Sequence, residues 1–137
     1  MKKRDFLKTS AIAASSVFLP QSLMSQGSAQ KKLRTAHIGI GGMGYQDLKA
    51  LISHKSVQVV GLCDVDAIAL DKVGGEFPNA KTFKDYRVML NELSDQIDAV
   101  IVSTPDHTHA PAALMAMEKN KAVYCQKPLA HHVTEVR

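Results

Sequence analysis

The 137-residue chain contains no tryptophan and only 5% aromatic residues, too few for the interleaved stacking platforms on which proteins hold single-stranded nucleic acid. Charged residues make up 22% and hydrophobic ones 45%, a balance that excludes a disordered chain and fits a globular one with a real core. Collagen-like, coiled-coil and low-complexity classes are excluded on the same grounds. The apolar run from Ala11 to Leu19 is closed by Pro20, well short of the roughly 20 residues a transmembrane helix needs. The length allows one domain.

Lysine and arginine total 17 against 13 acidic residues, a net charge of +4, and the pI is about 9.1. Much of this excess sits at the front. Met1 to Lys8 carries Lys2, Lys3, Arg4 and Lys8 against Asp5, followed by the small apolar run and an exit at Gly27-Ser28-Ala29. That order reads as a secretory leader over residues 1–29, with a twin-arginine-like start in which Lys3 replaces the first arginine. The alternative is an amphipathic N-terminal helix or a tag, but the run lacks helix-period apolar spacing. The expected location is the periplasm or another exported compartment. Residues 30–137 carry a net charge of only +1, so no footprint for nucleic acid remains.

The remainder alternates strand-like and helix-like segments. Leu33–Ile40, Val57–Cys63, Lys81–Phe83, Asp98–Ser103 and Ala122–Cys125 read as strands. Tyr45–Ser53, Asp66–Val73 (ended by Gly74-Gly75), Asp85–Leu93 and His109–Lys119 read as helices. This succession predicts an α/β fold, a Rossmann-type doubly wound parallel sheet of order 3-2-1-4-5, with residues 30–137 forming the nucleotide-binding domain.

The first strand-to-helix joint is Gly39-Ile40-Gly41-Gly42-Met43-Gly44, a G-x-G-x-x-G placed between a strand and a helix. Gly39 would allow the tight turn, Gly41 the approach of a pyrophosphate, and Gly44 close helix–strand packing. Asp64 follows Gly44 by twenty residues at the end of the second strand. A carboxylate there can bind adenosine ribose hydroxyls and repel a 2′-phosphate, which predicts NAD rather than NADP. Asp66 is assigned as the cap of the next helix.

After the fourth strand comes Ser103-Thr104-Pro105-Asp106-His107-Thr108-His109. Pro105 stops the strand, Asp106 or Thr108 can cap the next helix, and His109 is assigned a capping or cofactor-contact role. His107 reads as surface, as does the pair His131-His132. One H-x-H without a third ligand does not make a metal site, and none is expected. After the fifth strand, Pro128 in Gln126-Lys127-Pro128 restricts Lys127 to extended backbone. Its ammonium would then face the carboxyl edge of the sheet, where a lysine can shuttle a proton or steady an alkoxide; the competing reading is a surface lysine.

GIGGMG with Asp64, then STPDHTHA, then YCQKPLA resemble, in order and spacing, the motifs of the Gfo/Idh/MocA oxidoreductases, over nearly all of residues 33–137. The resemblance implies a Rossmann domain binding NAD(H) or NADP(H), followed by a C-terminal α/β domain that binds a sugar, cyclitol or related polyol and has no counterpart in this chain. It also implies a homo-oligomer for a full-length protein. Cofactor contacts would come from Gly39 to Gly44, Asp64, Ser103, Thr104, Pro105, His109, Gln126 and Lys127. The family's catalytic lysine corresponds to Lys127. Gln126 stands where the family has glutamate, and Asp106 where it has asparagine.

These features predict an NAD-dependent oxidoreductase acting on CH–OH groups, of which the chain supplies the nucleotide-binding part. Alternatives are a family-related glycosidase or lyase using transient redox, and a nucleotide-binding module or truncated frame that never completes a site. Cys63 and Cys125 fall on the second and fifth strands, on the order of 14 Å apart at roughly 4.8 Å per strand spacing. A disulfide needs Cα atoms within about 7 Å, so two free, buried thiols are expected.

Overall fold

The computed structural model describes residues 31–137; the expected leader, residues 1–29, lies outside the described residues. Five strands form one parallel sheet: β1 (Leu33–Ile38), β2 (Val57–Cys63), β3 (Lys81–Phe83), β4 (Ala99–Val102) and β5 (Ala122–Cys125). Their order is β3-β2-β1-β4-β5, as expected. The connecting helices are α1 (Gly42–Ile52), α2 (Ala67–Glu76), α3 (Tyr86–Glu92) and α4 (His109–Glu118), and a short α5 (Val133–Val136) follows β5.

Alternation along the strands divides the core into two layers. Ala36 and Ile38 of β1, with Val100 and Val102 of β4, pack beneath Met89, Leu90 and Leu93 from the α3 side and Ala112 and Ala116 of α4. The small α4 residues let that helix lie close to the sheet. On the other face, Leu48 of α1 and Leu70 and Val73 of α2 cover Val59 and Leu62 of β2. A register shift between Thr35 and Ala36 interrupts the β1–β2 ladder. At the amino edge, Arg34 grips Asp98 with Nη2 2.7 Å from Oδ1 and Nε 3.0 Å from Oδ2, fixing β1 against the start of β4.

Asp66 caps α2 as expected, its carboxylate accepting from the Ile68 amide at 2.9 Å. Asp85 caps α3 in the same way, from Arg87. Three local expectations are corrected. First, α1 starts at Gly42 rather than Tyr45, inside the glycine loop. Second, Gly74-Gly75 does not end α2, which runs to Glu76. A Cβ on Gly74 would stand 3.0 Å from Thr82 Cγ2, so this glycine serves the packing of α2 on β3 rather than termination. Third, neither Asp106 nor Thr108 caps α4 through its side chain. A 3-10 turn over Asp106–Thr108 leads into the helix instead, and the Thr108 hydroxyl donates to the Pro105 carbonyl at 2.9 Å.

Cys63 and Cys125 lie in one cross-strand row, Cys63–Ile38–Val102–Cys125. Both thiols are free; Cys63 is buried, but Cys125 is only half-buried because β5 is the edge strand of the described sheet. No helix among the described residues is long and apolar enough to cross a membrane.

Candidate functional site

The site is built where β1, β2, β4 and β5 end at the carboxyl edge of the sheet. Gly39 (φ +81°) and Gly42 (φ +49°) hold left-handed backbone, which side chains with a Cβ adopt only at a cost. A Cβ on Gly39 would stand 2.8 Å from the Ser103 carbonyl, so the first turn presses against the loop after β4. A Cβ on Gly44 would overlap the Gly39 carbonyl, and that glycine lets α1 close on β1. At Gly41 the nearest atom to a Cβ is Asp64 Oδ2 at 3.9 Å, and at Gly42 nothing lies within 4 Å. The loop is therefore closed on its protein side and open outward.

No side chain caps α1, whose N-cap is Gly41. A helix leaves its first N–H groups without intrahelical acceptors, and its dipole favours an anion there. Asp64 braces the turn: Oδ2 accepts from the Ile40 amide at 2.8 Å and from Gly41 at 3.3 Å, while Oδ1 accepts from Asp66 at 3.0 Å. Its carboxylate thus stands at the end of β2, beside the glycine loop. Met43 is exposed on the first turn of α1. A cavity of about 260 Å³ opens between Gly39, Asp64 and Val65 on one side and Thr104, Pro105 and His107 on the other. A larger hollow of about 430 Å³ lies on the α1 face against β4 and β5, away from the glycine loop and mostly apolar. The smaller one lies at the carboxyl edge where the strand order reverses between β1 and β4, the position at which open α/β sheets bind ligands.

Ser103 and Thr104 follow β4 directly under Gly39. Ser103 Oγ donates to Asp47 Oδ2 at 2.7 Å. Gln126, after β5, donates from Nε2 to both Asp47 oxygens at 3.0 and 3.1 Å, and its Oε1 accepts from the Lys127 amide at 3.0 Å. Asp47 therefore ties α1 to the loops after β4 and β5, a role the sequence reading did not assign. The available signal was its spacing: three residues after Gly44, it shares the helix face that approaches the sheet, where a carboxylate needs a donor.

His109 is placed behind this edge rather than on it, at 1% exposure. Its Nδ1 lies 2.7 Å from the Pro128 carbonyl oxygen and its Nε2 2.6 Å from that of Thr104. Whichever ring nitrogen carries a proton donates to a backbone carbonyl, and the ring ties the loop after β4 to the loop after β5. Lys127 is exposed and precedes Pro128 through a cis peptide bond. His107 and the pair His131-His132 are exposed. His131 Nδ1 stands 3.1 Å from Asp106 Oδ2, and that contact holds the Asp106 carboxyl below its ordinary range.

A further histidine lies beneath α1. His37 of β1 is 1% exposed, its Nε2 3.1 Å from Thr35 Oγ1 and its Nδ1 without a partner. Burial pushes its pKa down to about 4, against a smaller opposing pull from Asp47. The ring is neutral at physiological pH and belongs to the interior rather than to the site.

The family model described as "Oxidoreductase family, NAD-binding Rossmann fold" (GFO_IDH_MocA) matches residues 33–137. A glycosyl hydrolase family 109 protein of Stenotrophomonas maltophilia is 38% identical over 135 residues, covering 92% of this chain and 29% of that protein. An inositol 2-dehydrogenase of Salmonella typhimurium is 37% identical over 103 residues, covering 72% of this chain and 29% of its own length. Among solved structures, a myo-inositol dehydrogenase from Lactobacillus casei in complex with NAD(H) and myo-inositol superposes with a TM-score of 0.70 at 28% identity, covering 76% of this chain and 31% of that one. The chain thus spans about 30% of the length of these relatives.

Proposed function

Because the chain belongs to the GFO_IDH_MocA oxidoreductase family, with the NAD-binding Rossmann domain at residues 33–137, we propose that it is the nucleotide-holding part of an NAD-dependent enzyme moving hydride between a sugar, cyclitol or related polyol and nicotinamide. The observation that carries this reading is the β1–α1 joint. Its two left-handed glycines, the contact of Gly44 with Gly39 and the uncapped start of α1 form a cradle closed behind and open in front.

The dinucleotide, when bound, would supply the hydride acceptor or donor at its nicotinamide ring. The backbone of Gly41, Gly42 and Met43 would hold the pyrophosphate. Asp64 would accept from the ribose hydroxyls, and its negative charge would oppose a 2′-phosphate, which favours NAD over NADP. Ser103, Thr104, Pro105 and Gln126 would wall the approach to the nicotinamide. Lys127 would take the proton from the substrate hydroxyl as hydride leaves the carbon, and return it in the reverse direction. Calorimetric titration of the 137-residue chain with NAD and NADP tests the cofactor assignment. The expected result is at least tenfold tighter NAD binding, and equal or tighter NADP binding would overturn it.

The similarity to the glycosyl hydrolase family 109 protein favours a second reading, in which hydride leaves and returns within one turnover. Oxidation would acidify a neighbouring C–H, elimination and addition of water would follow, and no net redox change would result. With a protein that includes a substrate domain, sustained NADH release supports the dehydrogenase, and product without NADH supports this second reading. The leader is proposed to direct export, so N-terminal sequencing of the mature protein from the periplasm should begin at Gln30.

A further inference from the structure

Gln126 departs from the glutamate expected at its position, and Asp47 gives the departure a physical cause. The Asp47 carboxylate on α1 can only accept, and it already accepts from Ser103 Oγ at 2.7 Å. The side chain facing it from the loop after β5 must therefore donate, and Gln126 Nε2 does so at 3.0 and 3.1 Å to the two oxygens. A glutamate at 126 would bring a second carboxylate to the same distance, with no proton between them, in a half-buried setting where like charges repel strongly. The other end of Gln126 then accepts from the Lys127 amide at 3.0 Å, so the donor chain runs from Lys127 through Gln126 to Asp47.

We propose that Asp47 is a positioning residue that acts through Gln126, and that the two form a polarity-matched latch fixing the backbone at Lys127. The functional weight of the latch rests on the reading of Lys127 given above, but its existence does not. Gln126 Nε2 offers the donors and Asp47 the acceptors, so the pair tolerates an exchange of roles but not a loss of complementarity. In Asp47→Asn with Gln126→Glu, the new amide at position 47 would donate to the new carboxylate at position 126. The amide oxygen at 47 would still accept from Ser103, and a carboxylate oxygen at 126 would still accept from the Lys127 amide.

The test is amide hydrogen exchange at Lys127 in the 15N-labelled 137-residue chain, with the amide of Val100 in β4 as the reporter of general opening. Gln126→Glu is expected to speed exchange at Lys127 at least tenfold relative to Val100. Asp47→Ala should do the same. The double variant Asp47→Asn/Gln126→Glu should return to within about twofold of the unmodified chain. If Gln126→Glu fails to fold while the double variant folds, the latch is supported. Unchanged Lys127 exchange in Gln126→Glu, or a double variant no better than either single one, overturns it. Lys127→Ala leaves the backbone amide in place, so loss of turnover and loss of the latch are read separately.

Discussion

His109 Nδ1 lies 2.7 Å from the carbonyl oxygen of Pro128, nineteen residues further along the chain. With Nε2 against Thr104, one buried ring holds together the two loops that carry Ser103–Pro105 and Gln126–Lys127. A neutral imidazole carries one N–H, so His109→Ala removes the donor from one of these carbonyls and leaves a void beneath α4. One unpaired polar group costs about 1–3 kcal/mol and the void adds to it, so the variant should lose about 2–4 kcal/mol. Urea unfolding would measure this, and a loss below about 0.5 kcal/mol would reject the bridge.

Gly44 and Gly42 separate packing from backbone conformation. Gly44→Ala would drive a methyl group into the Gly39 carbonyl, whereas Gly42→Ala meets nothing within 4 Å and carries only the cost of φ +49°. A left-handed alanine costs about 1–2 kcal/mol. Gly44→Ala should therefore lower the melting temperature markedly more than Gly42→Ala and abolish NADH binding, as read by fluorescence titration. Equal effects would mean that the loop does not close on Gly44.

The pH dependence of stability should carry the signature of His37. Its folded pKa is pushed down from the ordinary 6.5 to about 4, so the unfolded chain binds a proton that the folded chain refuses. The contribution is intact above the unfolded pKa and is lost as pH falls from about 6.5 towards 4. Each tenfold difference in proton affinity between the two states is worth about 1.4 kcal/mol, so the loss approaches about 3 kcal/mol at pH 4. Urea unfolding of His37→Leu alongside the unmodified chain isolates this slope, since all other groups titrate in both. Parallel profiles would show that His37 is not the source.

β2 and β4 were legible as β-branched runs, the other strands as short segments between turn residues and helical spacings, and the strand order follows from the glycine loop and the alternation with helices. What escaped the reading depends on contacts between segments far apart in sequence. The spacing of Leu48, Leu51 and Ile52 locates the body of α1, but its start at Gly42 is set by the turn at Gly39 pressing on Ser103. Gly74-Gly75 carries the composition of a stop, and only the nearness of Thr82 reveals a packing role. Asp47 and His109 are ordinary residues until β4 and β5 bring Ser103, Gln126 and Pro128 to them.

The two thiols should react in order of exposure. Burial pushes Cys63 up to about 12, with Asp64 and Asp85 adding to the effect, while Cys125 is half-buried and less strongly raised. In native protein a thiol reagent should modify Cys125 first, and Cys63 should follow only as the sheet opens. Denatured protein should give two thiols without reductant. One thiol or none would contradict the row that separates them across β1 and β4.

Lys127 is exposed at the end of β5, and Gln126 and His109 hold the segment on either side of it. In the proposed reaction its uncharged amine takes the proton of the substrate hydroxyl and the resulting ammonium returns it in the reverse direction, so its removal should act on the chemical step and leave the pyrophosphate cradle untouched. In a protein that includes a substrate domain, Lys127→Ala should lower kcat by about 10² to 10⁴, the range for loss of a positioned acid or base. NAD affinity should change by less than about threefold, because Gly41, Gly42 and Asp64 hold the other end of the dinucleotide. Steady-state kinetics with parallel NAD titration separates the two effects. Turnover close to that of the unmodified enzyme would assign Lys127 to the surface, and an equal fall in affinity and turnover would make it a binding residue.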